Sequence, residues 1–249
     1  MSDAIISVKN LRVEYGDFVL FDDLNFEVNK KDVFIIMGAS GCGKSSLLKV
    51  LTGLVEPVKG EIYIDGKEFS NALDEQKNDI MKKTGVLYQS GALFSSMSLK
   101  ENVMMPLELY GNYSKKEIEE LASYKLALVG LKGFDDFYPS QISGGMKKRA
   151  SLARAIALDP KIVYCDEPSA GLDPISSKQL DDLILELNQA LGMTFVIVTH
   201  ELNSIFDIGN NSIFLDRKHK NITAYGNPKE LLRNPPNENI YEFLNRGIK

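Results

Sequence analysis

Cysteine and histidine are scarce in this chain, and long runs of one charge or of apolar residues are missing. Two cysteines, Cys42 and Cys165, among 249 residues are too few for a disulfide framework, so a reducing cytoplasm is the expected setting. The opening Met1-Ser2-Asp3-Ala4 lacks the basic and apolar regions of a signal peptide and points the same way. No segment approaches the roughly 20 apolar residues that cross a bilayer, so membrane association has to come through a partner. Lys and Arg number 29 against 34 Asp and Glu, for a net charge of −5, and the densest basic cluster is only Lys147-Lys148-Arg149. Nucleic acid is therefore not an expected partner. No internal repeat or low-complexity tract is evident. What remains is a chain with 44% hydrophobic residues, enough to bury a core as one domain or as a domain with an inserted subdomain.

The most informative stretch is Gly38-Ala39-Ser40-Gly41-Cys42-Gly43-Lys44-Ser45, followed by Ser46. Glycines at these positions let the backbone curl so that successive N–H groups face an anion. Lys44 adds a compact positive charge and Ser45 a hydroxyl suited to Mg²⁺. The setting fits: the apolar run Val33–Met37 precedes the loop and a helical pattern ending near Gly53 follows it. A helix N-terminus there adds about half a positive charge to the site. The expected ligand is a nucleoside triphosphate.

Upstream, Ile6 to Met37 reads as strands, with Leu11, Val13 and Tyr15 on one face by alternation. Tyr15 is open to two readings, a packed strand residue or a platform for a base. Glu61–Ile64 running into Asp65-Gly66 signals a hairpin. Gly85–Tyr88 is a short strand ending in Gln89, which taken alone is a solvated strand end. From Leu99 to about Leu131 the period turns helical, with Ser114 and Glu117 as a capping box. This insertion carries no evident chemistry, so its surface is expected to meet a partner. Ser143-Gly144-Gly145-Met146 then opens a long helix running through Ala157 to Asp159-Pro160, either a simple N-cap or a second anion site.

The strand Lys161–Cys165 ends in Asp166-Glu167, and adjacent carboxylates at the end of a buried strand call for a cation. Pro174 suits a helix first turn, with Leu180, Leu183, Leu187 and Leu191 on one face until Gly192. The strand Thr194–Thr199 delivers His200, either structural or catalytic; the other histidine, His219, lies in a polar loop. A hairpin of 213–215 against 222–225 and two short helical pieces, 230–233 and 241–245, complete the chain. Gly38, Gln89, Asp166-Glu167 and His200 thus all sit at the C-terminal ends of apolar strands. In a parallel α/β sheet these ends share one edge, where ligands bind.

In this order the motifs resemble the nucleotide-binding subunits of ATP-binding cassette transporters, over nearly the whole chain. The resemblance implies a P-loop NTPase (RecA-like) core of class α/β with an antiparallel β subdomain, spanning about 1–92 and 156–226. It further implies a helical subdomain at about 93–155 and a tail at 227–249. Tyr15 matches the adenine loop, Gly38 to Ser45 the Walker A loop, and Gln89 the Q-loop. Ser143 to Met146 match the signature, Asp166 and Glu167 the Walker B end, Asp173 the D-loop and His200 the switch histidine. Met146 stands where the family signature usually has Gln. Together with Ser90–Phe94 and Asp166–Ile175 it is similar to the ATPases of Mla-type phospholipid transporters, which work with Mce-domain proteins between the bacterial inner and outer membranes.

The resemblance also implies a head-to-tail dimer with ATP between the Walker A loop of one copy and the signature of the other. Ser45, Gln89 and Asp166 would serve Mg²⁺, Glu167 would handle the attacking water, and His200 would meet the γ-phosphate. The implied partners are a second copy, membrane permease subunits and an Mce-domain protein, at the cytoplasmic face of the inner membrane. Two other functions stay open at this point: the ATPase of an importer of an amino acid or other small solute, and a soluble cassette ATPase outside transport. Cys42 and Cys165 are expected to be buried and inert rather than a redox switch.

Overall fold

A computed structural model of the chain describes residues 3–246. In order it forms β1 (Ala4–Tyr15), β2 (Phe18–Asn29), β3 (Val33–Gly38), α1 (Lys44–Leu51), β4 (Lys59–Ile64), β5 (Lys67–Glu68), α2 (Asp74–Met81), β6 (Thr84–Leu87), α3 (Leu99–Tyr110) and α4 (Lys115–Leu128). After a 3-10 turn at Pro139–Gln141 come α5 (Gly144–Ala155), β7 (Ile162–Asp166), α6 (Pro174–Leu191), β8 (Thr194–Val198), α7 (Leu202–Ile208), β9 (Asn211–Asp216), β10 (Asn221–Tyr225), α8 (Pro228–Arg233) and α9 (Glu238–Asn245). Residues 1 and 2 of the expected core and 247–249 of the expected tail lie outside the described residues.

Among the described residues the strands form two sheets. One has the order β10-β9-β3-β8-β7-β6, the other β2-β1-β4-β5. In the first, β3 pairs in parallel with both β8 and β9, and β7 in parallel with β8 and β6. Strands buried on both faces read as unbroken apolar runs, and all six residues of β3 are buried. The period of two then divides them: Val33, Ile35 and Met37 join the core shared with α3–α7 and α9, whereas Phe34 and Ile36 join the core under α1 and the second sheet. The second sheet is antiparallel throughout, and β4 turns into β5 through Asp65 and Gly66, both at positive φ, as the hairpin signal required.

Between β6 and β7 the described chain is helical and contains no strand. Ser98 with Glu101 and Ser114 with Glu117 form capping boxes at the starts of α3 and α4. Leu99, Val103 and Leu107 of α3 and Ile118, Ala122 and Leu126 of α4 are buried in one core. The buried Lys125 reaches out of α4 to Asp159, with Nζ 2.5 Å from Oδ1.

Several sequence expectations change at element ends. Tyr15, the last residue of β1, is 46% exposed whereas Leu11 and Val13 are buried. The packed-strand reading of Tyr15 is thereby excluded. Leu191 leaves the apolar face of α6 at the helix end and is exposed. α5 stops at Ala155, before Ile156 and Ala157, with Asp159 at positive φ in the turn that follows. α9 begins three residues earlier than expected and buries Ile240, Phe243 and Leu244. Phe243 meets Phe214 of β9 edge-on at 5.1 Å, and Phe214 is paired with Met37, the residue before Gly38. Burial of such side chains stabilises by about 1.5–3 kcal/mol each, which fixes α9 beside the C-terminal end of β3.

Candidate functional site

The parallel strands deliver their polar residues to one edge. β3 runs into the loop Gly38–Ser45, β8 into His200, β7 into Asp166-Glu167, and β6 into Gln89, in neighbouring order. A cavity of about 340 Å³ lies at this edge, lined by Gly38, Ala39, Ser40, Lys44, Glu167 and His200 together with Leu202, Phe243 and Arg246.

The loop is packed as tightly as its composition suggests. Gly38 has φ 151, and a side chain there would begin 2.5 Å from the Leu215 carbonyl oxygen and 2.7 Å from Cys42 Sγ. Only glycine fits. Gly43 caps α1 in the left-handed conformation. Lys44 is buried, and its Nζ donates to the carbonyls of Gly38 (3.0 Å) and Ala39 (3.3 Å). Among the described residues this ammonium has no ion-pair partner, so its charge suits an anion in the cavity. Arg246 and His200 also line the space, against the single acid Glu167, so the lining favours a polyanion.

Ser45 donates to Asp166 Oδ1 at 2.9 Å. No group of three or more His, Cys, Asp or Glu with metal-binding geometry occurs among the described residues. A hydroxyl beside one carboxylate nevertheless suits Mg²⁺, which keeps several waters and takes one or two carboxylates plus substrate phosphates. Ser45 and Asp166 therefore fit that ion.

Glu167 is held in an uncommon conformation. Its φ is 46, its N–H donates to the Val198 carbonyl at 2.8 Å, and its Oε1 accepts from His200 Nδ1 at 2.8 Å. The other oxygen, Oε2, is buried without a hydrogen-bond partner. Glu167 lines the cavity, and a carboxylate oriented there by an imidazole is placed to accept from a water. His200 keeps an exposed face and lines the cavity, so it is not a core histidine.

The remaining candidates do not line this cavity. Gln89, Tyr15 and Asp173 are exposed. Asp173 caps α6, accepting from the N–H groups of Ile175 and Ser176, and the bonds to Ser176 hold its carboxyl below the usual range. Ser143 is the N-cap of α5, its Oγ accepting from Met146 N–H. Gly144 and Gly145 lie against Leu172 and Ser176 of the same chain. Met146 packs on the apolar core shared by the helices, which accounts for an apolar side chain there. Cys42 and Cys165 are both buried, and burial pushes both thiols up, as expected of inert cysteines.

Sequence reasoning missed four cations. Arg246 enters the cavity because α9 docks, and it lies 5.9 Å over the Phe243 ring. Arg217 Nη1 lies 3.9 Å from where a side chain on Gly41 would begin. Lys148 and Arg154 of α5 bond the segment after β6. Only the cluster Lys147-Lys148-Arg149 gave a sequence signal, and it read as surface charge.

Comparison with known proteins agrees with this geometry. The family model described as ABC transporter matches residues 21–170. The probable ribonucleotide transport ATP-binding protein mkl of Mycobacterium leprae is 40% identical over 96% of this chain, which spans about two thirds (68%) of that relative's length. The intermembrane phospholipid transport system ATP-binding protein MlaF of Haemophilus influenzae is 40% identical over 94% of this chain and 88% of its own. The glycine betaine transport ATP-binding protein OpuAA of Bacillus subtilis is also 40% identical, over 92% of this chain and 54% of its own. Among solved structures, the dimeric bacterial ABC transporter cassette MJ0796 superposes with a TM-score of 0.80 and 30% identity, covering 89% of this chain and 98% of its own. The P-loop NTPase fold expected from the motifs is the fold of that cassette.

Proposed function

The chain belongs to the ABC transporter family, as an ATP-binding subunit, and we propose that it hydrolyses ATP to drive phospholipid transport between bacterial membranes. The observation that carries the hydrolytic reading is the single sheet edge holding Lys44, the Ser45–Asp166 pair and the Glu167–His200 pair. Phosphoryl transfer asks the protein mainly for positioning and charge. The amides of Gly38–Ser46 and the Lys44 ammonium hold the phosphates, and Tyr15 carries the base. Ser45, Gln89 and Asp166 would hold Mg²⁺, which would neutralise phosphate charge. The Glu167 carboxylate orients the attacking water and takes up its proton, while His200 holds Oε1 and faces the γ-phosphate.

The cargo is read from the H. influenzae MlaF likeness, whose match spans nearly the full length of both chains, and from Met146. Ser143, Gly144 and Gly145 act on the ATP of a second copy, in a head-to-tail dimer of the kind the MJ0796 cassette is described as forming. Among the described residues no helix is long and apolar enough to cross a membrane. By the likeness to MlaF, the subunit sits on the cytoplasmic face of the inner membrane through permease subunits, with an Mce-domain protein beyond them. The permease docks at a second groove, about 370 Å³, where Tyr88, Met105, Pro106 and Tyr110 meet Arg154. Exposed Leu109, Tyr110 and Tyr113 extend that apolar surface, and an occupant there abuts the strand end that delivers Gln89.

The equal identity to OpuAA supports a second reading, a small-solute importer with the same ATPase chemistry. Purification from membranes in mild detergent, followed by mass spectrometry of bound lipid, separates the two. A lipid-loaded permease with an Mce-domain protein supports the first, and a soluble solute-binding protein overturns it.

A further inference from the structure

Of the three residues in the cluster Lys147-Lys148-Arg149, Lys148 alone is buried, at 6% exposure. Its side chain leaves α5 for the catalytic edge, where Nζ donates to the backbone carbonyls of Gln89 (2.5 Å) and Glu167 (3.5 Å). It has no ion-pair partner among the described residues. A buried charge held by neutral carbonyls is expensive and calls for a reason beyond packing.

α5 grips the same loop a second time. Arg154 donates from Nη1 to the Ala92 carbonyl (2.8 Å) and from Nη2 to the Gly91 carbonyl (3.1 Å). A side chain on Gly91, at φ +75, would begin 2.6 Å from Ser151 Oγ. The loop carrying Gln89 and the helix capped by Ser143 are therefore tied together as one body. Lys148 lies five residues after Ser143, about 7.5 Å along the helix axis at 1.5 Å per residue.

We infer that Lys148 is a positioning residue that couples the two half-sites of the dimer, by holding Gln89 and Glu167 of one site to the helix whose first residues serve the other. The inference rests on the shared-site dimer reading above. Engagement of Ser143 by the second copy's nucleotide fixes α5. Through Lys148 it fixes the Gln89 carbonyl and the backbone of Glu167, a residue whose φ of 46 side chains rarely adopt without support. Binding at one site thus completes the catalytic geometry of the other.

The test compares full-length wild type, Lys148→Met and Lys148→Arg by steady-state phosphate release against ATP concentration, with ATP affinity measured separately by calorimetry. Lys148→Met keeps ATP affinity within twofold, loses at least tenfold in kcat, and lowers the Hill coefficient from above 1 to 1. Lys148→Arg, which can still donate to both carbonyls, recovers at least half of the lost kcat and the cooperativity. Wild-type kcat and Hill coefficient in Lys148→Met overturn the inference. So does a loss of ATP affinity in both variants, which marks a merely structural lysine. A wild type that neither dimerises with ATP nor shows cooperativity refutes the shared-site reading, while the kcat of Lys148→Met still reports whether Lys148 positions the catalytic groups.

Discussion

Replacing Glu167 with Gln is the most direct challenge to the catalytic assignment, because the substitution is isosteric and removes only a charge. In the wild type Oε1 accepts from His200 Nδ1 at 2.8 Å, and Oε2 is buried with no partner. The Gln amide oxygen can keep the bond to His200, which places the NH₂ group where Oε2 was. The carboxylate that is proposed to orient the water is gone, and no group remains to take its proton. General-base assistance contributes about 10²–10⁴ in rate, which at 1.36 kcal/mol per tenfold is about 3–5 kcal/mol of barrier. The phosphate cradle is untouched, since Lys44 is held by the Gly38 and Ala39 carbonyls rather than by Glu167. The expected phenotype is ATP affinity within a factor of about two and phosphate release slowed by at least 100-fold. The undissociated ATP complex then accumulates as a dimer on gel filtration. Turnover within tenfold of wild type, or a tenfold weaker ATP affinity, would refute the reasoning.

Lys44→Ala removes the ammonium itself. A hydrogen bond to a charged group is worth about 1.5–3 kcal/mol, so ATP affinity should fall roughly 10- to 150-fold, and unchanged affinity by calorimetry contradicts the cradle. Asp181 of α6 is buried; Ser204 donates to Oδ2, and Oδ1 has no partner. Burial pushes its carboxyl up to about 6, opposed by the Ser204 bond. A carboxylate raised in the folded state binds its proton more tightly than in the unfolded chain, so its stability contribution is most favourable below the unfolded value near 3.9 and declines as pH rises to about 6. Asp181→Asn should therefore stabilise the protein at pH 8, by on the order of 2 kcal/mol, and leave it nearly unchanged at pH 4; equal shifts in thermal midpoint at both pH values would contradict this. Tyr110→Glu places a charge in the groove beside α3 and should cut permease recovery in pull-downs at least tenfold, with hydrolysis by the free subunit within twofold of wild type.

The strand ends were legible in the sequence because each couples two strong signals, an unbroken apolar run and a sharp change to polar residues. Gly38, Asp166-Glu167 and His200 were placed at one edge by that pattern alone, since parallel strands buried on both faces leave no other edge for them. Tyr15 was ambiguous because alternation groups it with the buried Leu11 and Val13, whereas it ends β1 and is exposed there, and alternation alone does not mark where a strand's cover stops. Lys148 was unreadable for a different reason. Its partners are backbone carbonyls 59 and 19 residues away, so no residue type elsewhere in the chain betrays the contact. Arg246 depends on the docking of α9 through Phe243 on Phe214, a long-range aromatic contact that local periodicity does not specify.

The distribution of exposure over the candidate residues carries the argument for a shared site. The buried members, Lys44 and Glu167, face one cavity and are satisfied within the chain except where a phosphate and a water belong. The exposed members are Tyr15, Gln89, Ser143, Gly144 and Asp173. A helix start leaves backbone N–H groups without intrahelical partners, and α5 presents its start at the surface, with the Met146 N–H taken by the Ser143 hydroxyl and the Lys147 N–H by the Ser143 carbonyl. Small residues at that start let an anion approach the backbone closely, and the neighbouring Leu172 and Ser176 offer no anion. The cavity of the same chain, in turn, is lined by Gly38 and the loop after β3, Lys44 of α1, the residues following β7 and β8, α7 and the end of α9, and by none from α5. Each chain thus carries the Lys44 recess and the exposed start of α5 at separate places, and the proposed head-to-tail pair brings the recess of one copy to the helix start of the other. ATP-dependent dimerisation in Glu167→Gln that is lost on Ser143→Arg is the outcome this complementarity demands.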